Sequence, residues 1–89
     1  MVMATIYFQA TDPDAFLAAL DGVGGLLEDV EGFNGLKLRR GVEDPNKFLI
    51  TANWDSVEAH EAWQTSRGPE FLGALAPYND GGPSIEHFA

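Results

Sequence analysis

Residues Lys47–Trp63 read KFLITANWDSVEAHEAW, and the change of periodicity inside this stretch decides the fold. Over Lys47–Trp54 the period is two: Phe48, Ile50, Ala52 and Trp54 share one face, and Leu49, Thr51 and Asn53 share the other. Both faces carry apolar or small residues, which suggests a strand in a sheet covered on both sides, by helices on one and by a second subunit on the other. From Asp55 the pattern turns helical. Asp55 and Glu58 have the spacing of a capping box, an oxygen-bearing cap with a glutamate three residues later, so a helix is expected to begin there. Val57, His60 and Trp63 then recur every third residue along one slowly turning face.

Toward the amino terminus, Val2–Ala10 (VMATIYFQA) is rich in β-formers, with Val2, Ala4, Ile6 and Phe8 on one face. Thr11-Asp12-Pro13-Asp14 supplies a helix start, with a capping oxygen, an early proline and early negative charge. Phe16, Leu20, Val23 and Leu27 form the buried stripe of that helix, and Gly22, Gly24 and Gly25 are expected to loosen its second half. Phe33–Arg40 (FNGLKLRR) reads as a second strand and Gly41–Asn46 as a loop. Toward the carboxyl terminus, Ser66–Pro69 breaks the second helix, Pro69 starts a short third one, Tyr78–Pro83 is a loop, and Ser84–Phe88 is a final strand. The order strand, helix, strand, strand, broken helix, strand is that of the α+β, ferredoxin-like βαββαβ fold, an antiparallel sheet with helices on one face.

The 89 residues suffice for a single domain, 1–89, and 45% hydrophobic content is too apolar for disorder despite a net charge of −9. With 14 acidic and 5 basic side chains, the chain lacks the cationic surface that nucleic acid or an anionic membrane requires. Lys37, Arg39 and Arg40 form a local exception, suited to a carboxylate or phenolate or to an ordinary ion pair. Cysteine is absent, so there is no thiolate nucleophile, disulfide or thiolate metal site. No apolar run approaches the ~20 residues of a membrane span, and the amino terminus lacks a secretory pattern, so a cytoplasmic protein is expected. A domain of this size buries little more than about 60% of its unfolded surface, which favours self-association into a homo-oligomer.

Nucleotide, serine-hydrolase and zinc-protease motifs are absent, and His60 and His87 alone do not make a metal site. The informative cluster is Trp54, His60 and Trp63, with Tyr78 nearby in sequence. Two tryptophans serve equally well as core packing. Read functionally, they offer a flat apolar ligand an aromatic wall, and His60 a polar handle to orient it or accept its proton.

Glu31-Gly32-Phe33-Asn34-Gly35-Leu36, together with Phe48–Trp54 running into Asp55-Ser56-Val57-Glu58-Ala59, resembles the antibiotic biosynthesis monooxygenase domain. That family shows an EGF.G pattern before its second strand, a charged hairpin loop, and W.S.EA leading into its second helix. The short last strand ending in His87-Phe88 agrees as well. The resemblance implies a dimeric α+β barrel in which two sheets pack face to face and each subunit keeps a pocket between sheet and helices. It also implies oxidation of polyketide-like, planar aromatic substrates by molecular oxygen with neither metal nor flavin. In quinone-forming members a tryptophan ending the third strand and a tyrosine six residues later line the pocket. Trp54 matches the first, and His60 stands in place of the second. The family's asparagine four residues before the tryptophan is Ile50 here, and its third-helix arginine falls near Ala74.

The haem-degrading branch of the superfamily is also similar through Trp63, nine residues after the strand-end tryptophan. Its axial histidine position is Gly73 in this chain, and its first-strand asparagine falls near Ile6 or Tyr7. Haem binding through His60 or His87 is one alternative, and a non-catalytic ligand-binding or accessory module is another. The leading expectation is a homodimeric, cofactor-independent monooxygenase with His60 catalytic and Trp54, Trp63, Ile50 and Tyr78 lining the substrate site.

Overall fold

In the computed structural model, which describes residues 1–89, four strands form one antiparallel sheet: β1 (Val2–Gln9), β2 (Phe33–Arg40), β3 (Lys47–Trp54) and β4 (Ser84–Phe88), in the order β2-β3-β1-β4. The helices α1 (Pro13–Val23), α2 (Val57–Ser66) and α3 (Gly68–Leu75) complete the ferredoxin-like arrangement. Ala4 lies opposite Ala52, Ile6 opposite Ile50 and Phe8 opposite Phe48, so the even-numbered residues of both central strands share a face. That face is buried against Phe16, Trp63, Phe71 and Leu75 of the helices. On the other side, Met3, Tyr7 and Phe88 remain exposed, beside Leu49 and Thr51 of β3.

Helix starts follow local chemistry. Asp12 accepts from Ala15 N at 3.1 Å, with Pro13 opening α1. At α2 the cap is Ser56, which accepts from Ala59 N at 3.1 Å, and not Asp55 as the capping-box spacing suggests. Asp55 instead accepts from Asn34 Nδ2 at 2.8 Å, while its own N–H donates to Gly32 O, also at 2.8 Å. These bonds tie the end of β3 to the lead-in of β2. The glycines after Gly22 loosen the first helix as expected, since α1 ends at Val23 and a 3₁₀ turn spans Gly24–Leu27.

A bulge in β2 has a further consequence for the interior. Phe33 pairs with Trp54 but Leu36 pairs with Ala52, so three steps along β2 match two along β3. Gly35, at φ 121°, accommodates the extra residue. Strict alternation places Phe33 on the face of Lys37 and Arg39, whereas the bulge delivers its ring to Trp54, at a centroid distance of 5.2 Å.

Candidate active site

The core separates into two aromatic groups at opposite ends of the central strands. At one end Phe16 packs on Phe8 and Phe48, with centroids 5.2 and 4.8 Å away. At the other, Trp54 ends β3 and meets His60 and Trp63 from α2. The Trp54 and His60 rings stack at 4.9 Å and 23°, Trp54 and Trp63 lie 5.9 Å apart, and Phe71 of α3 meets Trp63 edge-on at 5.4 Å. His60 and Trp63 reach Trp54 together because they lie three residues apart on α2, whose buried side packs on the sheet.

Each polar atom of this group has a definite state. Trp63 Nε1 donates to Leu26 O at 3.0 Å, which pins α2 to the 3₁₀ turn. Trp54 Nε1 is buried with no acceptor, an unmet donor of a kind that costs about 1–3 kcal/mol. His60 is 1% exposed, and its Nδ1 shares a 2.7 Å hydrogen bond with Nε2 of His87 on β4. Burial, reinforced by the neighbouring His87, lowers the His60 pKa from 6.5 to about 4, so the imidazole is neutral at pH 7.

Three cavities border these aromatics; one, an open and more polar groove of about 250 Å³ at Trp63, lies beside Glu31 and Arg67, and the other two are apolar. The smaller, about 170 Å³, is lined by His60, Trp63, Phe71, Ile6 and Ile85, with Gln64 its one amide side chain. The larger, about 440 Å³, opens between α1 and β2, lined by Leu17, Leu20, Leu27, Phe33, Leu36, Leu38 and Phe71 with Asp21 as its one charge. Phe71 belongs to both. The larger volume falls within the range of about 300–1,000 Å³ usual for ligand sites, and the smaller falls below it.

Trp54, His60 and Trp63 are thus brought together. Ile50 is fully buried opposite Ile6, in the middle of the sheet and on neither cavity wall. Tyr78 is not brought to the cluster. Its carbonyl accepts from Thr11 N at 2.8 Å, beyond the Phe8 end of β1, whereas Trp54 lies opposite Val2 at the other end, roughly 20 Å away at about 3.3 Å per strand residue. The larger cavity and the contact of His87 with His60 go beyond the cluster read from sequence. No local signal in the sequence marks the larger cavity, whose lining comes from α1, the 3₁₀ turn, β2 and α3. For His87 the signal was strand parity, which puts it with Ile85 on the helical side of β4.

Haem does not fit the two apolar cavities beside the aromatics. The cavity that presents a histidine is too small for a macrocycle, and the larger cavity contains no histidine. No group of three or more His, Cys, Asp or Glu side chains converges as a metal-ligand set. Lys37 and Arg39 lie on the open face of the sheet, while Arg40 reaches over the Phe48 ring at 5.3 Å. No helix is long and apolar enough to cross a membrane.

Fold and site together define a ferredoxin-like α+β protein with an aromatic, histidine-bearing interior next to an apolar cavity. The antibiotic biosynthesis monooxygenase family model matches residues 1–76, and the chain belongs to that family. Similar solved structures include a candidate antibiotic biosynthesis monooxygenase of Bordetella bronchiseptica, with 16% identity and a TM-score of 0.89 over 99% of this chain and 94% of that one. SnoaB of Streptomyces nogalater, a cofactor-independent oxygenase, gives 18% identity and a TM-score of 0.86 over 99% and 90%. A candidate antibiotic biosynthesis monooxygenase of Deinococcus radiodurans gives 20% and 0.84 over 100% and 91%. At these identities the likeness is one of fold. No curated protein sequence matches the chain.

Proposed function

We propose that this chain is a cofactor-independent monooxygenase of planar, acidic aromatic substrates, working as a cytoplasmic homodimer. The observation that carries the reading is the state of His60: a neutral imidazole on a cavity wall, stacked on Trp54, with no hydrogen bond from its Nε2 within the chain. A neutral imidazole can accept a proton, and exclusion of water strengthens its interaction with an acidic hydroxyl or methylene group.

On this reading the ring system occupies the 440 Å³ cavity against Phe33 and Phe71, and a swing of Phe71, the wall that the two cavities share, brings its acidic edge to His60. His60 takes the proton, leaving an electron-rich anion that reduces dioxygen. Carbon–oxygen bond formation gives a peroxide, and loss of water leaves a carbonyl, so an anthrone-type methylene plus dioxygen gives a quinone plus water. The protein supplies position, desolvation and proton control. Trp54, buried and on neither cavity wall, backs the site by stacking on the His60 ring. Ile50 serves as apolar backing to the site. The homodimer reading is supported by the open sheet face, where Met3, Tyr7 and Phe88 lie exposed beside Leu49.

An oxygen electrode with dithranol, an anthrone bearing two phenolic hydroxyls, tests the reading. Wild-type protein is expected to consume oxygen, and His60→Ala to lose about 100-fold in rate while keeping its circular dichroism spectrum. Dithranol binding without oxygen consumption would instead identify a ligand-holding accessory module.

A further inference from the structure

A buried base that accepts a proton must pass it on, and the one hydrogen bond of the His60 ring within the chain is to His87. Trp54 from β3, Ile6 from β1, Trp63 from its own helix, and Pro69 and Phe71 from α3 bring no charge to it. His87 is the one titratable group that acts on the ring. Its Nε2 lies 2.7 Å from His60 Nδ1, with the rings edge to face at 69°. The two differ sharply in surroundings, because His60 is sealed from solvent while His87 stands exposed on the edge strand β4.

We propose that His87 is the proton outlet of the His60 site: it holds His60 in the Nδ1–H tautomer, with Nε2 free, and carries protons between the buried imidazole and solvent. His87 is a positioning and relay residue, acting on substrate only through His60, and the proposal rests on the reading of His60 as the base.

The steps balance. The substrate X–H bond breaks as its proton bonds to His60 Nε2, and the substrate keeps the electron pair. The proton on His60 Nδ1 moves to His87 Nε2, and the proton on His87 Nδ1 leaves to water. When the reduced oxygen later needs a proton, the relay runs backward. His60 Nε2–H gives its proton to the peroxide, His87 Nε2–H returns one to His60 Nδ1, and His87 Nδ1 is reprotonated by water. No imidazolium has to persist in the interior, where its desolvation is costly. An exposed partner is essential to this route, and a histidine qualifies because its two nitrogens can receive a proton on one side and release one on the other.

The test uses full-length ¹⁵N-labelled protein. Long-range ¹H–¹⁵N spectra are expected to show the His60 ring proton on Nδ1, and a proton on Nε2 instead overturns the proposal whatever the activity. In His87→Gln, whose amide oxygen still accepts from Nδ1–H but cannot relay, solvent exchange of the His60 ring proton is expected to slow at least tenfold. Dithranol oxidation is expected to fall about tenfold in kcat with KM unchanged, and His87→Phe is expected in addition to lose the tautomer preference. Equal exchange rates in wild type and His87→Gln overturn the relay even if dithranol is oxidised, leaving the His60 reading intact. Exchange that depends on His87 in a protein that does not oxidise dithranol supports the relay and retires the oxidation chemistry.

Discussion

Gly32 and Ala59 approach so closely that a Cβ built on Gly32 would lie 2.7 Å from the Cβ of Ala59. Gly32 is also in the left-handed region, at φ 86°, where a side chain adds strain. This contact sets α2 against the lead-in of β2, and so sets where His60 and Trp63 stand. Gly32→Ala is expected to destabilise the fold by about 2–4 kcal/mol, the sum of backbone strain and overpacking. Urea unfolding measures it; a loss below 1 kcal/mol would show that α2 can shift without cost.

The low basicity of His60 predicts a pH-dependent stability. Unfolded, the ring titrates near 6.5; folded, at about 4. Below pH 6.5 the unfolded chain therefore binds more protons than the native one, so this contribution is complete above that value and lost as pH falls toward 4. Near pH 5 the loss amounts to about 2 kcal/mol. Comparing wild type with His60→Phe isolates the effect from the many carboxylates. The expected outcome is a steeper fall in urea midpoint for wild type between pH 7.5 and 5, and parallel curves would contradict it.

Filling the larger cavity should remove its ligand while sparing the core. Leu36 lines that cavity from β2 and is itself 39% exposed, so a bulkier side chain there has room to settle. Leu36→Trp is expected to fold with a Tm within a few degrees of wild type and to lose most of the dithranol-induced rise in Tm. An unchanged ligand shift would move the binding site elsewhere.

Tyr7 is 43% exposed at the centre of the open sheet face, on β1 opposite Leu49. If that face meets its twin, Tyr7→Glu places an unpaired charge in an apolar interface, at a cost of several kcal/mol. Sedimentation should find wild type at twice 9.6 kDa and the variant as the monomer. A wild-type monomer at micromolar concentration refutes the homodimer.

Much of the architecture was legible from local pattern. The strands Phe33–Arg40, Lys47–Trp54 and Ser84–Phe88 lie where alternation and turn residues put them, and the glycines after Leu20 loosen the helix as their backbone freedom requires. The capping-box spacing points to Asp55, one residue before the actual cap of α2. Asp55 and Ser56 can both cap, and the choice fell to Ser56 because Asn34, 21 positions earlier, engages the Asp55 carboxylate.

The candidate site was legible only in part. Trp54, His60 and Trp63 could be grouped because a strand end and the next helix turn are neighbours along the chain. Tyr78 is also near in sequence, yet α3 and the turn after it carry the chain back to the Phe8 end of the sheet. The sequence by itself determined the order of elements, the buried face of each central strand, and the acidic, cysteine-free exterior, since these depend on period, propensity and charge count. Only the tertiary structure decided which residues meet at the site. The bulge at Gly35 turned Phe33 onto Trp54, and the pairing of β4 with β1 brought His87 to His60 across 27 residues of chain. Strand register and inter-element contact are set by the packing of the whole chain, so no local window of sequence contains them.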